Sequence, residues 1–157
     1  MAAVRLISRK ELKLFRALID EDVDFMIVGL AAAVLQGSST VTQDIDLWFA
    51  DRSADNFRRA LERVDVSYVP PSLENPPLLV GAAAELFDIV VTMHGLGSFE
   101  EERKNVRVVK VRGIPLPVLP LDRVIASKEA TGREKDRMAL PVLREELQVI
   151  REVEGQG

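Results

Sequence analysis

The sequence predicts a mixed α/β domain with a C-terminal helical extension, and three observations carry that prediction. Short apolar runs at 25–28, 44–49 and 86–92 have the length and composition of strands, while the stretches between several of them repeat their apolar residues at helical spacing. Hydrophobic residues make up 47% and charged residues 29% of the 157, a balance that supports a buried core rather than a disordered chain. From Leu121 onward the pattern is helical alone. Length and the lack of any internal repeat predict a single domain over 1–157, with a core at about 8–119 and C-terminal helices at about 120–153.

In order along the chain, Ser8 and Glu11 form a capping box that opens a helix over about 10–20, with Leu12, Phe15, Leu18 and Ile19 on one face. Residues 25–28 are wholly apolar and predict a buried strand. Gly29 breaks it, 30–35 is alanine-rich and helical, and Gly37 is a stop signal. In the strand at 44–49, Ile45, Leu47 and Phe49 share one face and Asp44, Asp46 and Trp48 the other. Ser53 is placed to cap a helix running to about Val64 with Phe57, Leu61 and Val64 inward. Pro70, Pro71, Pro76 and Pro77 then predict an extended, irregular segment. After the strand at 86–92 come a short helix at 100–104 and a hairpin of 106–111 with 114–118, whose Pro115 and Pro117 predict a sheet edge. Leu121, Val124, Ile125 and Lys128 mark a helix that Gly132 interrupts. Pro141 is placed to open a final helix with Leu143, Leu147 and Ile150 as its stripe.

Composition excludes several classes of function. With no cysteine there is no disulfide, thiolate metal site or cysteine nucleophile, and this usage suits a reducing cytoplasm. A single histidine, His94, excludes sites needing two imidazoles, so a metal would be held by carboxylates; oxygen donors favour Mg2+ or Mn2+ over zinc. The N-terminus shows no secretory leader pattern, and the apolar stretch from Phe25 turns polar at Gln36, short of the roughly 20 residues a spanning helix needs. These readings predict no membrane contact. A net charge of −4 argues against broad, non-specific DNA binding.

The chemistry lies in the words Val28-Gly29-Leu30, Asp44-Ile45-Asp46-Leu47 and Phe87-Asp88-Ile89. Aspartates two apart on a strand project from one face, about 6.5 Å apart at Cα. Uncompensated carboxylates there repel and raise one another's pKa unless a cation sits between them. Asp88 on a later strand adds a third. Such a trio is costly as structure and useful as a cage for divalent ions, the arrangement that phosphoryl and nucleotidyl transfer require. A glycine between strand and helix lets phosphate approach the backbone, so Gly29 and Leu30 are candidate phosphate contacts.

These words resemble the minimal nucleotidyltransferase family of the polymerase-beta-like nucleotidyltransferase superfamily, whose signature is a hydrophobic residue, glycine, glycine or serine, a spacer, then Asp-x-Asp between hydrophobics. Lys128, Arg133 and Lys135-Asp136 resemble the late helix of the related abortive-infection nucleotidyltransferase subgroup. The resemblance spans 25–143 and implies a nucleotidyltransferase fold in which Asp44, Asp46 and Asp88 bind metal and act in catalysis, Asp88 as general base. It implies transfer of a nucleoside monophosphate from a nucleoside triphosphate such as ATP to an acceptor hydroxyl of a protein, RNA end or small molecule, with release of pyrophosphate. Leu30 stands where the family has glycine or serine, and Thr40 where it often has arginine. These departures keep a second expectation open: a catalytically weakened, partner-binding member of a toxin–antitoxin or defence pair.

Other residues carry plainer alternatives. Ser38, Ser39 and Thr42 read as loop or capping hydroxyls, with Ser38 also a candidate phosphate or sugar contact. Lys128 either lays its stem over apolar surface or reaches the triphosphate. Arg133 and Asp136, three apart on a helix, pair with one another. Trp48 reads as packing and His94 as a loop residue.

Overall fold

A computed structural model describes residues 7–156; residues 1–6, on which the expectation of no leader partly rests, lie outside that range. The architecture is mixed α/β. A five-stranded sheet runs in the order β5-β2-β1-β7-β6, built from β1 (Phe25–Val28), β2 (Ile45–Phe49), β5 (Phe87–Val90), β6 (Arg107–Val111) and β7 (Ile114–Val118). β2 is antiparallel to β1 and parallel to β5; β7 is parallel to β1 and antiparallel to β6. No described helix is long and apolar enough to cross a membrane.

One face of the sheet is covered by α1 (Arg9–Asp20) and α3 (Asp55–Glu62). Phe15 of α1 stacks on Phe25 and meets Phe87 edge-on, centroids 6.2 and 5.1 Å apart, and Phe57 of α3 meets Phe49 at 4.9 Å. The capping box at Ser8 and Glu11 is formed. The buried stripe of α1 centres on Leu14, Phe15 and Leu18, with Leu12 and Ile19 at its margins. α2 (Gly29–Leu35) follows β1 without a loop. α4 (Phe99–Arg103), α5 (Leu121–Thr131) and α6 (Glu134–Gln156) complete the helices.

Three expectations need correction. Ser53 does not cap α3: both its N–H and its hydroxyl donate to Asp51, leaving Ala54 at the cap position. The proline segment is irregular as expected, and a separate antiparallel pair, β3 (Ser67–Val69) and β4 (Leu78–Val80), brackets it. β7 lies inside the sheet and β6 forms the edge. Residues of one parity in β7 point their amides at β1, as Leu119 does when its N–H donates to Ile27 O at 2.9 Å. Pro115 and Pro117 share that parity, and β1 pairs with β7 only near Val118, so the missing donors have no ladder to break. Finally, Pro141 lies inside the 23-residue α6 rather than at its start. The helix begins at the αL break of Gly132 (φ 65°) and runs on because Leu140 and Leu143 anchor both sides of the proline in the core.

Candidate functional site

The sheet register builds the site. Asp46 of β2 stands directly across from Asp88 of β5 in a parallel pair, so the two side chains leave the same face, at a strand spacing of about 4.8 Å. This face is opposite the one that α1 and α3 cover, because Ile45, Leu47 and Phe49 point the other way. Asp44 precedes β2, is exposed, and acts on both partners through its charge. The structure thus brings Asp46 and Asp88 together directly and Asp44 alongside them. Among the described residues no group of three or more His, Cys, Asp or Glu side chains is placed to hold a metal ion.

Asp46 is the most perturbed of the three. Burial, then the charges of Asp88 and Asp44, push its pKa up to about 6, against the opposing charges of Lys128 and Lys135. No described donor hydrogen-bonds its carboxylate. Burial and the Asp44 charge raise Asp88 as well. Gly29 explains how Asp46 fits: its φ is +66°, and a Cβ at that position would lie 2.7 Å from Asp46 Oδ2. A glycine is needed here twice, for the left-handed backbone and for room beside the carboxylate.

Asp46 and Gly29 open into a cleft of about 430 Å³ whose far wall comes from α5 and the start of α6. Lys128 lines it, with its side chain 13% exposed, and donates to Asp136 at 3.0 Å. Asp136 is 2% exposed and also accepts from Thr131 and from Arg133 Nε, the latter at 2.8 Å. Burial alone would raise its pKa; the hydrogen bonds from Thr131, Lys128 and Arg133, with the Lys128 charge, draw it down to about 2. The expected Arg133–Asp136 pair is present, but the Lys128 bond across the α5–α6 turn had no signal in spacing. Met93, Thr92 and His94 form the loop side of the cleft. Gly95 lets that loop seat on α5, where an added Cβ would meet Ala130 at 2.5 Å.

Two expected contacts lie apart from this cleft. Ser38 is 5% exposed and donates to Glu146 Oε1 of α6 at 2.7 Å, while Ser39 N–H donates to Oε2 at 2.8 Å. Ser38 therefore joins a loop to α6 and is committed to that carboxylate. Leu30 is partly buried against the core, leaving only its backbone to meet a ligand. Trp48 packs edge-on against Phe99 at 5.4 Å.

The residues that could hold a hard divalent cation are the two facing carboxylates, of which Asp46 is half-buried and has no hydrogen-bond donor among the described residues. No family model matches the chain, and no curated protein matches it.

Proposed function

We propose that this chain is a Mg2+-dependent (or Mn2+-dependent) nucleotidyltransferase that moves a nucleoside monophosphate from a triphosphate to an acceptor hydroxyl. The observation that carries the reading is the in-register Asp46–Asp88 pair beside Gly29, with the Asp46 carboxyl held at about 6. A like-charged pair with one half-buried member is destabilising unless a ligand compensates it. Its resemblance to the minimal nucleotidyltransferases points the same way.

In this reading Asp46 and Asp88 hold the cation, with Asp44 adding charge from the rim. When bound, the cation supplies charge neutralisation for the triphosphate and the departing pyrophosphate. Asp88, the more exposed of the facing pair, takes the proton from the acceptor hydroxyl. The acceptor oxygen forms its bond to the α-phosphorus as the bond to the bridging α–β oxygen breaks, and the electron pair leaves with pyrophosphate. Lys128 faces the phosphates across the cleft, and the Gly29 backbone accommodates them. The test is Mg2+-dependent ATP binding by calorimetry in wild type and in Asp46→Asn with Asp88→Asn. Equal affinity in both proteins would remove the proposal.

A second reading, a weakened family member acting through a protein partner in a toxin–antitoxin or defence pair, draws on one observation. Lys128 and Arg133, the cations lining the cleft, are already bound by Asp136. Incubation with labelled triphosphate and a candidate partner separates the two: label transfer favours the enzyme, and a stable unlabelled complex favours the binding protein.

A further inference from the structure

The N-terminal helix carries a charge pattern that the cleft does not use. Arg9, Lys13 and Arg16 recur at i, i+4 and i+7, all exposed, on one side of α1. Among the described residues no carboxylate lies within 4.0 Å of any of the three, and Lys10 beside them reaches only Glu85, at 3.8 Å. Glu11, the acid in the first turn, is 3% exposed and occupied in the capping box. The pattern works against the free helix in two ways. Like charges four apart repel, and cations in the first turn oppose the helix dipole. In a chain of net charge −4, such a cluster needs a reason outside the fold.

These cations rim a groove of about 780 Å³ between α1 and the segment joining the end of α3 to the 3-10 turn Ala82–Ala84. Leu12, Ala17, Val64 and Ala83 give it an apolar floor, and Asp65 is the single carboxylate of the lining, outnumbered by the cations around it. Arg63, at its other wall, is already paired with Asp20 and Glu21 at 3.5 Å each. We propose that this groove docks an acidic amphipathic segment of a partner protein, with carboxylates on Arg9, Lys13 and Arg16 and apolar side chains on the floor. Nucleic acid fits less well. Among the described residues no aromatic ring lines the groove to stack a base, and its floor is apolar rather than polar. The groove lies on the face of the sheet opposite Asp46 and Asp88, because α1 packs on Phe25 and Phe87. A docked segment would leave the cleft open, so this inference stands independently of the nucleotidyltransferase reading.

The test is fluorescence anisotropy with a labelled amphipathic peptide, leucine on one face and glutamate on the other, beside a counterpart carrying lysine for glutamate. The acidic peptide is expected to bind wild type about tenfold more tightly than the basic one at low salt. The triple variant Arg9→Gln, Lys13→Gln, Arg16→Gln should lose that preference while melting no lower than wild type, because repulsion has been removed. The charge-conserving Arg9→Lys, Lys13→Arg, Arg16→Lys should keep it. Equal binding of the two peptides, retention by the glutamine variant, or tighter binding of single-stranded RNA or phosphatidylserine vesicles than of the acidic peptide overturns the proposal.

Discussion

Replacing Asp46 by asparagine should stabilise the free protein far more at neutral than at acid pH. The Asp46 carboxyl has an ordinary pKa of 3.8 in the unfolded chain and about 6 in the fold, raised by burial first and then by Asp88 and Asp44. Below 3.8 both states hold the proton and the site costs nothing. As pH rises the unfolded chain ionises first, so stability present at low pH is lost as pH climbs through about 6. At about 1.4 kcal/mol per pKa step the full penalty is about 3 kcal/mol. The cleft admits water to the carboxylate, so we expect about 1–2 kcal/mol of it in practice. For a chain of this length that is a rise of about 2–8 °C in melting temperature. Thermal unfolding of wild type and Asp46→Asn at pH 4 and pH 7.5 measures it. The variant should melt higher at pH 7.5 and keep only a small part of that gain at pH 4, and excess Mg2+ should raise wild type alone. An equal gain at both pH values, or none at pH 7.5, would refute the argument that the Asp46 carboxylate is held under strain.

Gly29→Ala should cost about 1–2 kcal/mol for the left-handed backbone, and its Cβ would displace Asp46, so Mg2+-dependent ATP affinity should fall further than the loss in melting temperature explains. Ser38→Ala removes a donor to Glu146 in a buried joint and should cost about 1–3 kcal/mol in urea unfolding, with nucleotide affinity unchanged; a loss of affinity would return Ser38 to the ligand contacts. Pro141→Ala restores a donor toward the Arg137 carbonyl and should raise stability by up to about 3 kcal/mol. No gain in a urea titration would mean that the bend at Pro141 is required by the packing of Leu140 and Leu143.

What the sequence disclosed follows from how local each signal is. The strand at Phe25–Val28, the aspartate face of β2 and the capping box at Ser8 depend on neighbours a few residues away, and all are present. The pairing of Asp46 with Asp88 is nonlocal, yet the sheet period of two left only one face for each, so a shared face was a sound expectation. The misread elements depended on distant partners. Pro115 and Pro117 are harmless inside the sheet because of where β1 stops, which no window around them reveals. Ser53 chose Asp51 over the helix terminus, a competition between two local bonds of similar strength. Ser38 was drawn off by Glu146, more than a hundred residues away, and Asp136 gathered Lys128 across a turn. The loop side of the cleft, with Thr92 and Met93, had no motif at all.

The charge balance around the cleft is what the proposed cation site rests on. Arg133 and Lys128 could each have answered the aspartates, yet both make their hydrogen bonds to Asp136. Lys128 and Lys135 reach Asp46 only as a diffuse field, and that field is outweighed: the carboxyl still rises to about 6. A surface built merely to be soluble would leave Asp46 in water, where its neighbours' charges are screened. Here β2 holds it partly buried against Gly29, at a position where even a methyl group would collide with it. The same register that half-buries Asp46 sets Asp88 directly across from it on the same face of the sheet. A mobile doubly charged ion removes the repulsion between them without moving any strand, which is why the metal-dependent reading accounts for the burial, the glycine and the pairing together.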